Sequence, residues 1–185
     1  ELFDIDQVNK AASSFNTDKL GWLNQHYIQH ADSHRIARLL SPHMGKLGID
    51  PSTGTDLVAV VEAQAARAKT LVELAEISAF IYRDFNQYDE AAAKKHLRPV
   101  AKEPLERMRA ALEMLALEDW EPVTLAHEVE RVQKMGKVAQ PLRVAVVGRA
   151  ASPGIDVTLQ LAGKEATLRR IDRALEYIRE REAAG

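Results

Sequence analysis

The 185 residues include no cysteine. That excludes disulfides and thiolate zinc sites and suits a reducing compartment, so a cytoplasmic location is expected. Aromatic residues are scarce, at 5%. Glycine and proline are also few, at 9 and 7, while 46% of residues are hydrophobic and 28% charged, which rules out a low-complexity or disordered chain. No apolar run reaches the roughly 20 residues a membrane span needs. The opening ELFDIDQVNK lacks the basic-then-apolar order of a signal peptide, and no membrane partner is expected. An initiator Met is missing as well, so the chain reads as a piece of something longer.

Net charge is also small, at −2, which argues against a surface coated with positive potential and against nonspecific DNA binding. The mean hides an asymmetry. Residues 1–130 hold 14 Lys/Arg against 21 Asp/Glu, whereas residues 131–170 hold 8 against 2. A localised basic surface of this kind can follow phosphates while the acidic body discourages indiscriminate binding; a solvated fluctuation of charge is the plainer account.

What is present is helical spacing almost throughout, enough for one substantial helical domain or two small ones. Ser33 or Asp32 caps a helix carrying Ile36, Leu39, Leu40, Met44 and Leu47, with Gly48 near its end. Asp50, Pro51 and Gly54 form a turn, and Asp56 opens the next helix. Thr70 with Glu73 has the form of a capping box, so the chain bends near 68–70. Leu71, Leu74, Ile77 and Phe80 follow on one helix, and Asp84, Asn86 and Asp89 mark a loop. A short helix over AAAKKHL stops at Pro99. Pro104 and Leu105 then enter a longer one with Met108, Leu112 and Leu115. Pro122 and Pro141 suit first turns, and Gly136 is placed to close the intervening helix. The β-branched LRVAVV at 142–147 would also suit a strand and is read as helix from its context. Ser152 and Pro153 read as cap and first turn of a helix over 154–162. Gly163 ends it, and a last amphipathic helix carries Leu168, Ile171, Leu175 and Ile178.

Three segments carry a family resemblance: FNTDKLGWLNQHYI at 15–28, KKHLRP at 94–99, and GKVAQPLRVAVVG at 136–148 followed by SPGIDVTLQLAGKEATLRRI at 152–171. Together they closely resemble the C-terminal, anticodon-binding part of proteobacterial-type glutamyl-tRNA synthetases, over essentially the whole chain. The resemblance implies an all-α, two-part helical bundle: residues 1–30 end the stem-contact region, 31–88 form a first helical subdomain and 89–185 a second. It also implies that the catalytic domain, with its ATP and Mg sites, lies outside this chain. On that reading the fragment alone is inactive, holds no cofactor and has no catalytic residue. Lys134-Met135-Gly136-Lys137 only superficially echoes the family's ATP-site loop, having Gly where that loop has Ser.

The resemblance assigns recognition residues for glutamate tRNA. Arg143 occupies the PLR motif, whose arginine contacts the first two anticodon bases, and its rigid fork of donors suits base edges. Ser152, Pro153, Gly154 and Ile155 match the loop around the same bases. Arg67 matches a position where arginine favours the third base of glutamate tRNA over that of glutamine tRNA. Lys164, Arg169 and Arg170 lie in the basic stretch as candidate contacts to the tRNA backbone, with a solvated helix face as the alternative.

Other features read as structural. Trp22 and Trp120 stand among apolar residues at helical spacing and are expected in the core rather than stacked on bases. His26, His30 and His34 recur every four residues, but no acidic partner completes a metal motif, and no metal is expected. A monomer is favoured. The competing class of function is a helical protein-interaction module or a standalone paralogue of the anticodon-binding domain.

Overall fold

The computed structural model describes residues 16–134 and 137–184, and within them the chain is built from ten α-helices and no strand. The stem-contact assignment of residues 1–15 and the Gly136 helix stop lie outside the described residues. The helices are α1 (Thr17–His30), α2 (Ser33–Lys46), α3 (Leu57–Gln64), α4 (Leu71–Tyr82), α5 (Glu90–His96), α6 (Lys102–Met114), α7 (Pro122–Gln133), α8 (Ala139–Val147), α9 (Ile155–Ala162) and α10 (Lys164–Ala184). Short 3-10 turns at Ala65–Arg67 and Pro99–Ala101 precede α4 and α6.

Side-chain oxygens cap the first five helices, each accepting from an amide that has no partner within the helix. Asn16 accepts from Lys19 N at 2.9 Å, Asp32 from Arg35 N at 2.9 Å, Asp56 from Val58 N at 3.1 Å and Asp89 from Ala92 N at 2.7 Å. At α4 the box is displaced by one residue. Thr70 Oγ1 accepts from Glu73 N at 3.1 Å, but the Glu73 carboxylate reaches Lys69 N at 2.7 Å instead of Thr70 N. The bend expected at 68–70 is therefore held from both sides. One expected cap differs: Gly154, not Ser152, occupies the N-cap of α9, and no side chain caps it.

Helices α2, α3 and α4 pack on one another, and α1 lies across the turn at Ala65–Arg67. In the second group α10 runs along α6 and α8, α7 packs on α6 and α9, and α5 lies on α8. Helix α4 touches α9 between the groups, and the buried apolar side chains form one continuous cluster from Ile28 to Ile178. The ambiguous 142–147 segment is helical because Leu142, Val144, Ala145, Val146 and Val147 are all buried. A helix enclosed on almost every side gains enough from burial to override the strand preference of its valines.

Trp120 is half-buried against the core, and its indole N–H donates to the Leu159 carbonyl at 3.0 Å. Trp22 departs from expectation. It is 62% exposed and stacks on His26, with ring centroids 5.7 Å apart. The inward side of α1 is taken by Ile28 and by the polar contacts described below, so Trp22 falls on the outer face. His26 and His30 also stack, at 4.2 Å, while His34 lies beyond the Asp32 cap on α2. No described helix is long and apolar enough to cross a membrane.

Candidate nucleic-acid interface

Arg143 projects from the middle of α8 and is only partly buried. Its Nε donates to Ser152 Oγ at 2.8 Å, and one Nη donates to the Pro153 carbonyl at 3.1 Å. The other three N–H groups of the guanidinium have no protein acceptor among the described residues. Ser152 is itself held by Thr158 Oγ1, 2.9 Å away, and Thr158 also donates to the Pro153 carbonyl at 3.3 Å. Ser152 is 7% exposed and Thr158 is fully buried. The Ser-Pro segment is thus a socket that fixes the arginine fork from below. Gly154 is exposed and Ile155 partly so, leaving them as the accessible part of the loop. Thr158 was not singled out from sequence, where a threonine inside an apolar helix gives no distinguishing signal.

Arg67 ends the 3-10 turn that precedes α4 and is exposed. That turn is braced by amide side chains of α1. Gln25 and Gln29 each donate Nε2 to the Ala66 carbonyl at 3.3 Å, and Asn24 donates to the Lys69 carbonyl. Buried Gln64 secures the same region through the Ile77 carbonyl at 3.2 Å. The fold brings Arg67 near Arg143 although 75 positions separate them in sequence. Burial pulls the Arg143 pKa below the usual arginine range, and the Arg67 charge pulls it the same way. Arginine stays charged regardless, so two like charges lie within electrostatic reach of each other. Among the described residues neither has an acidic partner within ion-pair distance. Folding alone gains nothing from such a pair; an anionic or acceptor-rich ligand would.

The remaining candidates are occupied by the protein itself. Lys164 Nζ donates to the Glu113 carbonyl at 2.9 Å and to that of Leu115, closing the end of α6. Arg169 forks onto the Asp84 carboxylate at 3.0–3.2 Å. Arg170 is 2% exposed, with its donors spent on Asp84 and on three backbone carbonyls. The expectation that Arg170 touches the tRNA backbone is corrected: its guanidinium faces inward, because ends of two other helices converge on it. In the sequence Asp84 marks only a loop, yet it organises both arginines.

The described residues form an all-helical bundle in which Arg67 and Arg143 lack an acidic partner, and the chain belongs to the Anticodon binding domain family, whose model matches residues 35–175. Its relatives are more particular. The chain is 51% identical over 188 residues to glutamate–tRNA ligase 1 of Nitrosococcus oceani and 52% identical over 190 residues to glutamate–tRNA ligase 1 of Alkalilimnicola ehrlichii. All of the chain aligns in both cases, onto 40% of each relative's length. The same fold occurs in two solved structures at 24% identity. A glutamate tRNA ligase from Elizabethkingia meningosepticum superposes with a TM-score of 0.83 over 95% of this chain and 35% of its own. A glutamate-tRNA synthetase from Elizabethkingia anophelis gives 0.79 over 94% and 34%.

Proposed function

We propose that this chain reads the anticodon of glutamate tRNA as the C-terminal part of a cytoplasmic class I glutamate–tRNA ligase. The observation that carries the reading is that Arg143, fixed by the Ser152–Pro153 socket with donors to spare, and Arg67, on a braced turn within its electrostatic reach, have no acid to neutralise them. Anticodon bases are unstacked and present their edges singly, which suits arginine forks far better than a paired A-form groove does. Arg143 offers its free donors to the first two bases. The accessible Gly154 and Ile155 line the same loop, and Arg67 meets the third base. Exposed parts of the basic 131–170 stretch contribute sequence-independent attraction to phosphate. Attachment of glutamate, with its ATP and magnesium, belongs in this reading to the rest of the ligase.

The test is a titration of this chain with glutamate tRNA and with the same tRNA carrying a changed anticodon, at one stated salt concentration. Anticodon-dependent binding is the expected result; weak binding blind to the anticodon would favour a protein-interaction module instead. Arg67→Gln should shrink the ratio of affinities for glutamate and glutamine tRNAs several-fold. It should leave the response to changes in the first two bases intact, and an unaltered ratio would remove Arg67 from the site.

A further inference from the structure

Arg170 joins the C-terminal ends of two helices, α4 and α8. An α-helix leaves its last four carbonyls without internal partners and carries partial negative charge there. Phe80 is among the last four residues of α4 and Val146 among the last four of α8. Arg170 donates to the Phe80 carbonyl at 2.7 Å and to the Val146 carbonyl at 3.0 Å, and also to the carbonyl of Arg83, the C-cap of α4, at 3.1 Å. Its Nε meets Asp84 at 2.8 Å. One buried cation thus closes the negative ends of both helices while standing on a third, α10. Lysine could not do this, since a single ammonium lacks the width of the fork.

The two closed helices carry or follow the two candidate arginines. Arg67 lies just before α4, a rod of about 18 Å at the usual helical rise. Arg143 lies on α8, three residues before Val146. Arg149, just past α8, adds a bond to the Glu76 carbonyl of α4 at 3.0 Å.

We propose that Arg170, with Asp84, is a positioning residue for anticodon reading: by clamping α4 to α8 it sets the separation between Arg67 and Arg143. The functional half of this inference rests on the reading given above. The clamp itself is measurable without RNA.

The chain has no cysteine, so spin labels can be attached at Glu62→Cys on α3 and Gln140→Cys on α8, both exposed positions. A narrow distance distribution is expected with Arg170 in place, and a shifted or broadened one in Arg170→Gln. The same substitution should raise the dissociation constant for glutamate tRNA at least tenfold, and in that background Arg67→Gln should no longer change the glutamate-to-glutamine tRNA ratio. Asp84→Asn leaves the guanidinium its three carbonyls and should move both readouts less, in the same direction; it replaces Arg170→Gln if that variant does not fold. An unchanged distance distribution in a folded variant overturns the clamp. An altered distribution with unchanged tRNA affinity and selectivity overturns the positioning role. Absence of anticodon-dependent binding by the unsubstituted chain removes the functional reading, and the label distances still decide the clamp, so the failures are distinguishable.

Discussion

Arg143→Ala should weaken binding of glutamate tRNA by about 1–3 kcal/mol, roughly 5- to 150-fold, the range for a well-placed bidentate contact to a base. The loss should fall on RNA binding and not on folding, for a reason visible in the socket. When the guanidinium is removed, the two protons of the Ser152 and Thr158 hydroxyls still serve each other and the Pro153 carbonyl. No buried polar group is left without a partner, so the unfolding midpoint should hardly move. A tRNA with altered first and second anticodon bases should lose much less affinity on the same substitution. Binding isotherms at fixed salt with both RNAs check this, and equal losses would mean that Arg143 contacts phosphate only.

The largest effect on stability is expected at Gly148, through Gly148→Ala. This residue closes α8 with φ +80°, a left-handed conformation that costs an alanine about 1–2 kcal/mol. Its position is crowded as well. A Cβ there would lie 2.8–3.0 Å from three carbons of the Phe85 ring. That ring cannot easily retreat, because the Arg173 guanidinium sits 4.1 Å from its centroid and Tyr88 packs on it at 5.3 Å. The Gly148 carbonyl also accepts from Asp89 N at 2.8 Å, tying α8 to the start of α5. Strain and overpacking together should cost about 2–4 kcal/mol, measurable as a lower urea midpoint at unchanged slope. A loss below about 1 kcal/mol would show that Phe85 relaxes freely.

Much of the architecture is legible in the residues because helix starts and stops are local chemistry. Asp32, Asp56 and Thr70 cap the helices that their positions announce, and Gly48 and Gly163 take positive φ at or just past helix ends; Asp89, legible only as a loop residue, also caps, and Gly148 also takes positive φ. The helical reading of 142–147 depended on context, since valine spacing alone does not distinguish a buried helix from a strand. The Trp22 expectation failed for a related reason. Periodicity identifies a helix face as apolar but does not say whether the protein packs anything against it.

Candidate recognition residues divide in the same way. The motif around Arg143 singles out the arginine, but sequence spacing cannot separate a cation that reaches outward from one that is consumed within the fold. Lys164, Arg169, Arg170 and Arg143 all lie in one basic stretch. Arg170 is consumed within the fold, Lys164 closes a helix end and Arg169 is engaged by Asp84 at the surface, while Arg143 keeps donors in reserve. Thr158 and Asp84 gave no sequence signal because their partners lie in a neighbouring helix or far along the chain.

The sequence by itself determined the helical class and many helix boundaries and singled out Arg143 as a candidate, because caps, proline, glycine and short motifs act over a few residues. Only the tertiary structure decided which cations keep free donors, brought Arg67 within electrostatic reach of Arg143 across 75 positions, and turned Arg170 inward. Those outcomes depend on where the ends of different helices meet, and no local spacing encodes that.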